Sequence, residues 1–301
     1  MANNTHVALR WLISNQSGTC SLDNGTLFVV ATPIGNLEDL SPRARQILDE
    51  VDLIAAEDTR HTGRLLSHFG INTRQMALHE HNEEIAASKL LSALTEGSSV
   101  ALVSDAGTPL ISDPGYRLVR AAHEADIRVS PVPGASAVTA ALSVAGLPTD
   151  RFCFEGFLPN KKSARMKRLH ELAGETRTIV FYESVHRIDA TVRDLNKAFG
   201  SDRGAFVGRE LSKMHEQCES STLGVLQFMI EDGRIPDKGE FVLVVEGNRD
   251  SDTELLTIGI EKLIAEISGL LPTGKAADLI SSLSGRRRNE IYKLLLAKRE
   301  K

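Results

Sequence analysis

Cysteine is scarce in this 301-residue chain: Cys20, Cys153 and Cys218 are widely spaced and odd in number. That pattern excludes a disulfide framework and does not match a zinc knuckle, so a reducing, cytoplasmic compartment is expected. Long apolar runs are missing as well. No stretch approaches the roughly eighteen residues of a membrane span; the longest candidate, Ala135 to Leu147, is rich in Ala and Ser and reads as a packed helix. Near the start, Trp11, Leu12 and Ile13 make a short apolar patch that Arg10 interrupts. No signal-peptide layout surrounds it, so residues 1–25 read as a loosely ordered extension of a soluble protein. Neither the G-x-G-x-x-G spacing of a dinucleotide site nor a P-loop lysine follows the first strand-like run. Internal repeats and low-complexity tracts are absent.

What remains is a chain with 42% hydrophobic residues and a quarter charged, enough to bury one large core or two moderate ones. The net charge of −5 argues against wholesale coating of nucleic acid, but it hides an asymmetry. Residues 272–301 hold eight Lys and Arg against three Asp and Glu, a local +5, leaving −10 for residues 1–271.

Leu27–Thr32 reads as a buried strand closed by Pro33 and Gly35, followed by a helix that Ser41 caps before Pro42, with Ala44, Ile47, Leu48 and Val51 at helical spacing. Strand, glycine loop and helix open a βαβ unit. Further strands are predicted at Asp52–Ala56, Ser99–Val103 and Arg128–Val132, with helices at Arg117–Ala125 and after Gly134. The alternation predicts a mostly parallel sheet covered by helices, an α/β fold. A second α/β unit follows: strands at Arg151–Phe157, Thr178–Tyr182, Gly204–Gly208 and Glu240–Glu246, with helices at Lys161–Ala173, Ile188–Phe199 and Leu223–Glu231. Asn248–Thr253 reads as a polar linker to helices near Leu255–Ser268, Lys275–Leu283 and Arg287–Lys298. The expected divisions are an extension (1–25), an N-terminal α/β domain (26–146), a second α/β domain (147–248) and a basic helical domain (254–301).

In open parallel sheets ligands sit outside the carboxyl ends of strands. Three polar loops fall there: Thr32 to Leu37, Ala56 to Thr62, and Ser104 to Pro109 running on to Gly115. Their acids, Glu57, Asp58, Asp105 and Asp113, invite a metal reading, although Mg²⁺ usually takes only one or two carboxylates together with substrate phosphates. The plainer reading is equally open: Asp58 and Asp113 cap turns and helices, and Glu57 pairs with Arg60.

Nine runs in order strengthen the case. Val30-Ala-Thr-Pro-Ile-Gly-Asn-Leu37, Ala56-Glu-Asp-Thr-Arg60, Val103-Ser-Asp-Ala-Gly-Thr-Pro109 with Ser112-Asp-Pro-Gly115, and Val132-Pro-Gly-Ala-Ser-Ala137 resemble the ribosomal RNA small subunit methyltransferase I family, of the tetrapyrrole-methylase-like superfamily. So do Gly146-Leu-Pro-Thr-Asp150, Phe154-Glu-Gly-Phe-Leu-Pro159, Phe181-Tyr-Glu-Ser-Val-His-Arg-Ile188, Gly208-Arg-Glu-Leu-Ser-Lys213 with His215-Glu216, and Gly239-Glu-Phe-Val-Leu-Val-Val245. The resemblance covers residues 27–301. It implies a two-domain, class III methyltransferase fold with a small C-terminal helical domain, S-adenosylmethionine as methyl donor with no metal, a homodimer, and 2′-O-methylation of a cytidine (cytidine 1402) in the decoding region of 16S ribosomal RNA within the small subunit.

Carried over by position, the resemblance implies a donor pocket from Thr32, Pro33 and Ile34, from Thr108, Pro109, Leu110 and Ile111, from Ser136 and Ala137, and from Glu183 and Ser184. Where the superfamily commonly reads Gly-Asp-Pro, this chain reads Gly107-Thr108-Pro109, so a Thr108 hydroxyl or backbone contact is expected there, with Asp105 supplying charge. Candidates for the catalytic machinery are Glu57, Asp58, Arg60, Glu183 and Lys213. As a base, Lys213 would need a pKa depressed by burial or a cationic neighbour. Arg60 and Arg209 suit RNA phosphates. A lone His215 reads as a surface or interdomain histidine.

The basic run Lys161, Lys162, Arg165, Lys167, Arg168 is either a solvated face or an RNA contact. The C-terminal segment, with Arg286, Arg287 and Arg288 at the start of its last helix, has the layout of a helix-turn-helix nucleic-acid contact. Cations there oppose the helix dipole and would be relieved by phosphate. Two rival readings are a small-molecule methylase of the tetrapyrrole type, which would not need residues 272–301, and a non-enzymatic RNA-binding assembly factor, which would not bind the donor.

Overall fold

The computed structural model describes residues 25–248, 260, 264–267, 270–284 and 286–299. The expected extension, the linker after Asn248 and most of the helix expected over 255–268 lie outside these residues. The described residues form two compact units, one of those up to 144 with 207–218 and 238–242, the other of 145–206 with 219–237 and those from 243 onward. The segments carrying Lys213 and Glu240 therefore belong to the first unit.

The first unit is built on a five-stranded sheet of β1 (Thr26–Val30), β2 (Leu53–Ala56), β3 (Gln75–Ala77), β4 (Val100–Val103) and β5 (Arg128–Val132), in the order β3-β2-β4-β1-β5. Every pair is parallel. Side chains alternate between two cores. Phe28, Ile54, Ala101 and Val103 pack with Ala44, Ile47 and Leu48 of α1 (Pro42–Glu50) and Leu66 of α2 (Thr59–His68). Leu27, Ala55, Val100 and Leu102 pack on the other side with Ala86, Leu90 and Leu94 of α3 (Glu83–Thr95) and Leu118 and Ala122 of α4 (Tyr116–Glu124). Reversal of the winding direction after β3 accounts for this division, because right-handed crossovers running in opposite directions leave their helices on opposite faces.

The sheet is longer than the apolar runs suggest, since β3 and the helices α2 and α3 also form. Asp58 caps a helix, as its plainer reading implies: its side chain accepts from the Arg60 amide and starts α2 within the expected polar loop. Ser41 caps α1 as its sequence implies, accepting from the Ala44 amide at 3.1 Å. β1 stops at Val30, short of the expected Thr32, because Thr32 turns away to pair with Gly107. After β5 comes α5 (Ala137–Val144).

The second sheet contains β6 (Phe152–Phe157), β7 (Thr178–Glu183), β8 (Gly204–Arg209), β9 (Gln217–Thr222) and β10 (Phe241–Val245), in the order β6-β7-β10-β8-β9. β6 and β7 are parallel, with a bulge between Phe154 and Gly156. The strand β9, rich in Ser and Glu and carrying no apolar alternation, has no counterpart among the expected elements. Helices α6 (Lys162–Leu172), α7 (Ile188–Phe199) and α8 (Leu223–Glu231) follow the predicted positions. The basic run on α6 is divided by its packing: Arg165 is buried on Asp194 at 2.8 Å, and Arg168 bridges Glu155 and Glu171. At the C-terminus α9 (Thr273–Ser284) and α10 (Arg288–Arg299) enclose a small core of Ala276, Ala277, Ile280, Ile291 and Leu295 with Ile260 and Ile264.

Candidate active site

In the first sheet the chain leaves β1 towards β2 but leaves β4 towards β5, on the opposite side. The adjacent ends of β1 and β4 therefore form a topological switch point, where open α/β sheets hold ligands. The loops that emerge there are locked together. The Thr32 amide donates to the Gly107 carbonyl (2.9 Å), the Gly107 amide donates back to Thr32 (3.1 Å), and the buried Thr32 hydroxyl donates to the Ser104 carbonyl at 3.2 Å. Gly107 has a φ of +82°, and a Cβ on it would meet Ile34 Cγ2 at 3.3 Å, so the turn and the close approach both require glycine. The Thr108 hydroxyl donates to the Ala135 carbonyl (3.0 Å), which joins the loop after β5 to the same assembly. Leu110 and Ser112, flanking Ile111, have φ values of +73° and +71°. Left-handed backbone costs a non-glycine residue about 1–2 kcal/mol, a strain of the kind that collects at functional sites.

The acids after β2 divide by environment. Asp58 is engaged by Arg60 through Nε (3.1 Å) and Nη2 (2.7 Å), and the guanidinium and amide of Arg60 hold its carboxyl far below the ordinary range. The pairing of Glu57 with Arg60 expected from the sequence is thus corrected to Asp58, because the cap geometry turns Asp58 back over its own first turn while Glu57 points inward. Glu57 accepts weakly from the Asp105 amide (3.4 Å), and Asp105 accepts from the Asp58 amide (3.0 Å), a reciprocal link between the loops after β2 and β4. Burial, then the charge of Asp105, raise the Glu57 pKa against that amide bond. Asp113 is raised further, to about 7, by burial and the charge of Glu57, with Ser104 as its hydrogen-bond partner. Nor does Asp113 cap α4: Gly115 stands at the cap, and Glu83 from α3 accepts from the amides of Gly115 (3.0 Å) and Arg117 (3.2 Å). Among the described residues no group of three or more His, Cys, Asp or Glu side chains is arranged to hold a metal ion.

A cavity of ≈310 Å³ opens beside these loops, near the lower limit of small-ligand clefts. Thr32, Pro33 and Ile34 form one wall and Asp105 and Ala106 another, while His61, Arg64 and Leu65 contribute from one face of α2. Lys213 and Glu240 complete it. The Lys213 ammonium donates to Glu210 (2.9 Å) and Glu240 (3.0 Å). Its stem lies across Gly35, where a Cβ would fall 2.2 Å from Lys213 Cγ. Glu210 lies in the same way against Gly239, whose φ is +96°. The turn itself is strained, with φ values of +51° at Glu210 and +68° at Ser212. Burial pulls the Lys213 pKa down, but the two carboxylates outweigh it and the net shift is upward. The depressed pKa that a lysine base requires is therefore absent: Lys213 is a persistent cation with one N–H still unassigned.

The remaining expected site residues have varied surroundings. Ser136 and Ala137 lie at the start of α5, next to the Ala135 carbonyl that Thr108 holds. Ser184 belongs to the second unit, as does Glu183, whose wholly buried carboxylate accepts from the Ser184 amide (2.7 Å) and the Thr191 hydroxyl (2.6 Å) and pairs with Arg187 (3.3 Å). Arg209 donates to the carbonyls of Lys238 and His215. Of the C-terminal arginines, Arg288 pairs with Asp278 and lies over Tyr292, Arg286 is partly buried, and Arg287 is exposed. His61, Arg64, Glu210 and Glu240 are functional candidates that motif reading passes over. Asp58 as a cap, with Thr62, Leu65 and Leu66 at helical spacing, is the signal that would have revealed α2 and its cavity-facing side.

Residues 26–227 match the family model of the tetrapyrrole (corrin/porphyrin) methylases. A ribosomal RNA small subunit methyltransferase I of Xylella fastidiosa is 53% identical over 89% of this chain and 98% of its own length. The enzyme of that name from Escherichia coli O157:H7 is 49% identical over 92% of this chain and 97% of its own. The chain belongs to the ribosomal RNA small subunit methyltransferase I family. Among solved structures, uroporphyrin-III C-methyltransferase from Thermus thermophilus, complexed with S-adenyl homocysteine, superposes with a TM-score of 0.52 at 18% identity, covering 74% of this chain and 97% of that one. The two-sheet α/β architecture is thus that of the tetrapyrrole methylases, carried here by a member of the small subunit methyltransferase I family, and α9 and α10 lie beyond the residues that the family model matches.

Proposed function

We propose that this protein is an S-adenosylmethionine-dependent methyltransferase, active in the cytoplasm as a homodimer, that methylates the ribose 2′-hydroxyl of cytidine 1402 in 16S ribosomal RNA. The observation that carries the reading is about 50% identity along nine-tenths of the chain to enzymes named for ribosomal RNA small subunit methylation. The bridged loops at the switch point suit the donor. Asp105 offers a negative charge to a sulfonium, and the turn at Gly107 leaves the backbone close to whatever lies against Ile34. Thr32, Pro33, Ile34, Thr108, Pro109, Ile111, Ser136, Ala137 and Ser184 hold the donor, which supplies an electrophilic methyl group.

The protein's main work is alignment of the ribose oxygen with that methyl. Lys213, held as a cation over Gly35, directs its remaining N–H into the cavity and stabilises negative charge as the 2′-oxygen loses its proton. Glu57, joined to the cavity-lining Asp105 through its amide and, like Asp113, raised in proton affinity, takes that proton; Asp58 is too firmly tied to Arg60 to do so. Glu183 acts at one remove, fixing the backbone at Ser184. Arg286, Arg287 and Arg288, where α10 begins, present the RNA.

Mass-spectrometric mapping of ribose methylation in ribosomal RNA from cells with and without this protein tests the reading. Loss of one 2′-O-methylcytidine in the decoding region is expected. An unchanged methylation map, or a purified protein that does not bind S-adenosylmethionine in calorimetry, would end it.

A further inference from the structure

Arg60 and Arg64 stand one turn apart on the same face of α2. Arg60 is gripped by both oxygens of Asp58 and serves the cap of its own helix. Arg64 is exposed, lines the cavity, and has no carboxylate partner among the described residues. Of the two full cations lining that cavity, Lys213 is matched by two carboxylates and Arg64 by none. His61, three residues earlier on α2, adds a ring to the same wall. Such an unpaired guanidinium at the rim of a cavity is a seat for an oxyanion that offers two oxygens to its planar fork.

We infer that Arg64, with His61 beside it, binds a backbone phosphate of the RNA strand and so positions the acceptor ribose over the cavity. The inference rests on the function proposed above and adds to it the group that grips the acceptor. The exposure of Arg64 favours a strand running across the rim over a small ligand enclosed within it. A phosphate neutralised there releases counterions, so the contact carries a salt signature that a purely structural arginine would not have.

The test is equilibrium binding of small ribosomal subunits, taken from cells without this protein, to the wild type and to Arg64→Ala and Arg64→Lys at several salt concentrations. For a single-stranded or duplex contact, the slope of log affinity against log salt should fall by about 0.7–0.9 in Arg64→Ala and remain near wild type in Arg64→Lys. Between 50 and 200 mM salt the wild type should therefore lose about threefold more affinity than Arg64→Ala. KM for the subunit should rise and kcat should fall as the ribose is held less squarely over the cavity, and affinity for S-adenosylmethionine measured without RNA should not change. Equal slopes in the wild type and Arg64→Ala overturn the inference, as does a loss of donor affinity, which would assign Arg64 to the carboxylate of the donor. Failure of the wild type to methylate the subunits would instead overturn the underlying function.

Discussion

The ends of β2 and β7 look alike in the sequence, each an apolar strand running into glutamate, yet the two glutamates live differently. Glu183 is wholly buried, and an amide, a hydroxyl and a guanidinium surround its carboxylate. Glu57 has one weak amide contact, and burial with the charges of Asp105, Glu80 and Asp58 raises its pKa. A saturated carboxylate holds structure; an under-satisfied one keeps an appetite for a proton. The same distinction separates Arg60 from Arg64 on α2. Position at the carboxyl end of a strand nominates a residue, and the degree to which its hydrogen-bonding capacity is already used decides between scaffold and chemistry.

The contrast can be broken most severely at Glu183. Glu183→Ala takes the partner from the buried Thr191 hydroxyl and the Ser184 amide and one partner from the half-buried Arg187, and should destabilise the protein by about 3–5 kcal/mol, read from denaturant melts. Donor affinity of the folded fraction should fall as the Ser184 backbone loosens, while the chemical step in the donor-bound protein keeps its rate; a slowed chemical step there would contradict the scaffold role. Next comes Lys213→Ala, expected to lower single-turnover methylation by about 10²–10³-fold with donor affinity intact, the range for removing a donor aimed at developing charge. Gly35→Ala tests the seat beneath that lysine. The added Cβ displaces the stem, and a rate loss of about 10–10²-fold with an unchanged melting temperature is expected; wild-type rates would show that the seat is dispensable.

The smallest effect belongs to Asp113. Its folded pKa of about 7 lies above the ordinary aspartate value of 3.8, so the unfolded chain gives up its proton first as pH rises. The contribution to stability is therefore greatest in acid, declines between about pH 4 and 7, and stays low above that window. Asp113→Asn should flatten this decline and stabilise the protein above pH 7 by about 1 kcal/mol, after allowance for solvent screening of a half-buried group and the altered contact with Ser104. A pH-stability profile parallel to wild type would mean that the carboxyl ionises freely in the folded protein.

Much of the fold is legible because short β-branched runs ending in glycine or polar loops mark buried parallel strands, and because Ser41-Pro42 marks a helix start. The less visible elements have physical reasons. On α3 the larger Ile85 is 67% exposed while Ala86 and Ala87 are buried, so the apolar spacing misstates the inward face. On β9 polar residues occupy the last position of the sheet order, where alternation is not demanded. The loops after β1 and β4 announce themselves as motifs, since each is contiguous. The Lys213 clamp does not, because Gly35, Glu210, Lys213, Gly239 and Glu240 acquire meaning only when folding brings distant segments onto two bare glycines.

The paired amides of Thr32 and Gly107 carry a further consequence. Nucleotide-phosphate clefts work by leaving a run of main-chain N–H groups pointing outward for oxygen atoms to occupy. Here two such groups at the centre of the crevice are already spent, each donating to the other residue's carbonyl. A pyrophosphate would find those two donors already taken, so this turn is closed to the main-chain grip by which dinucleotide phosphates are held.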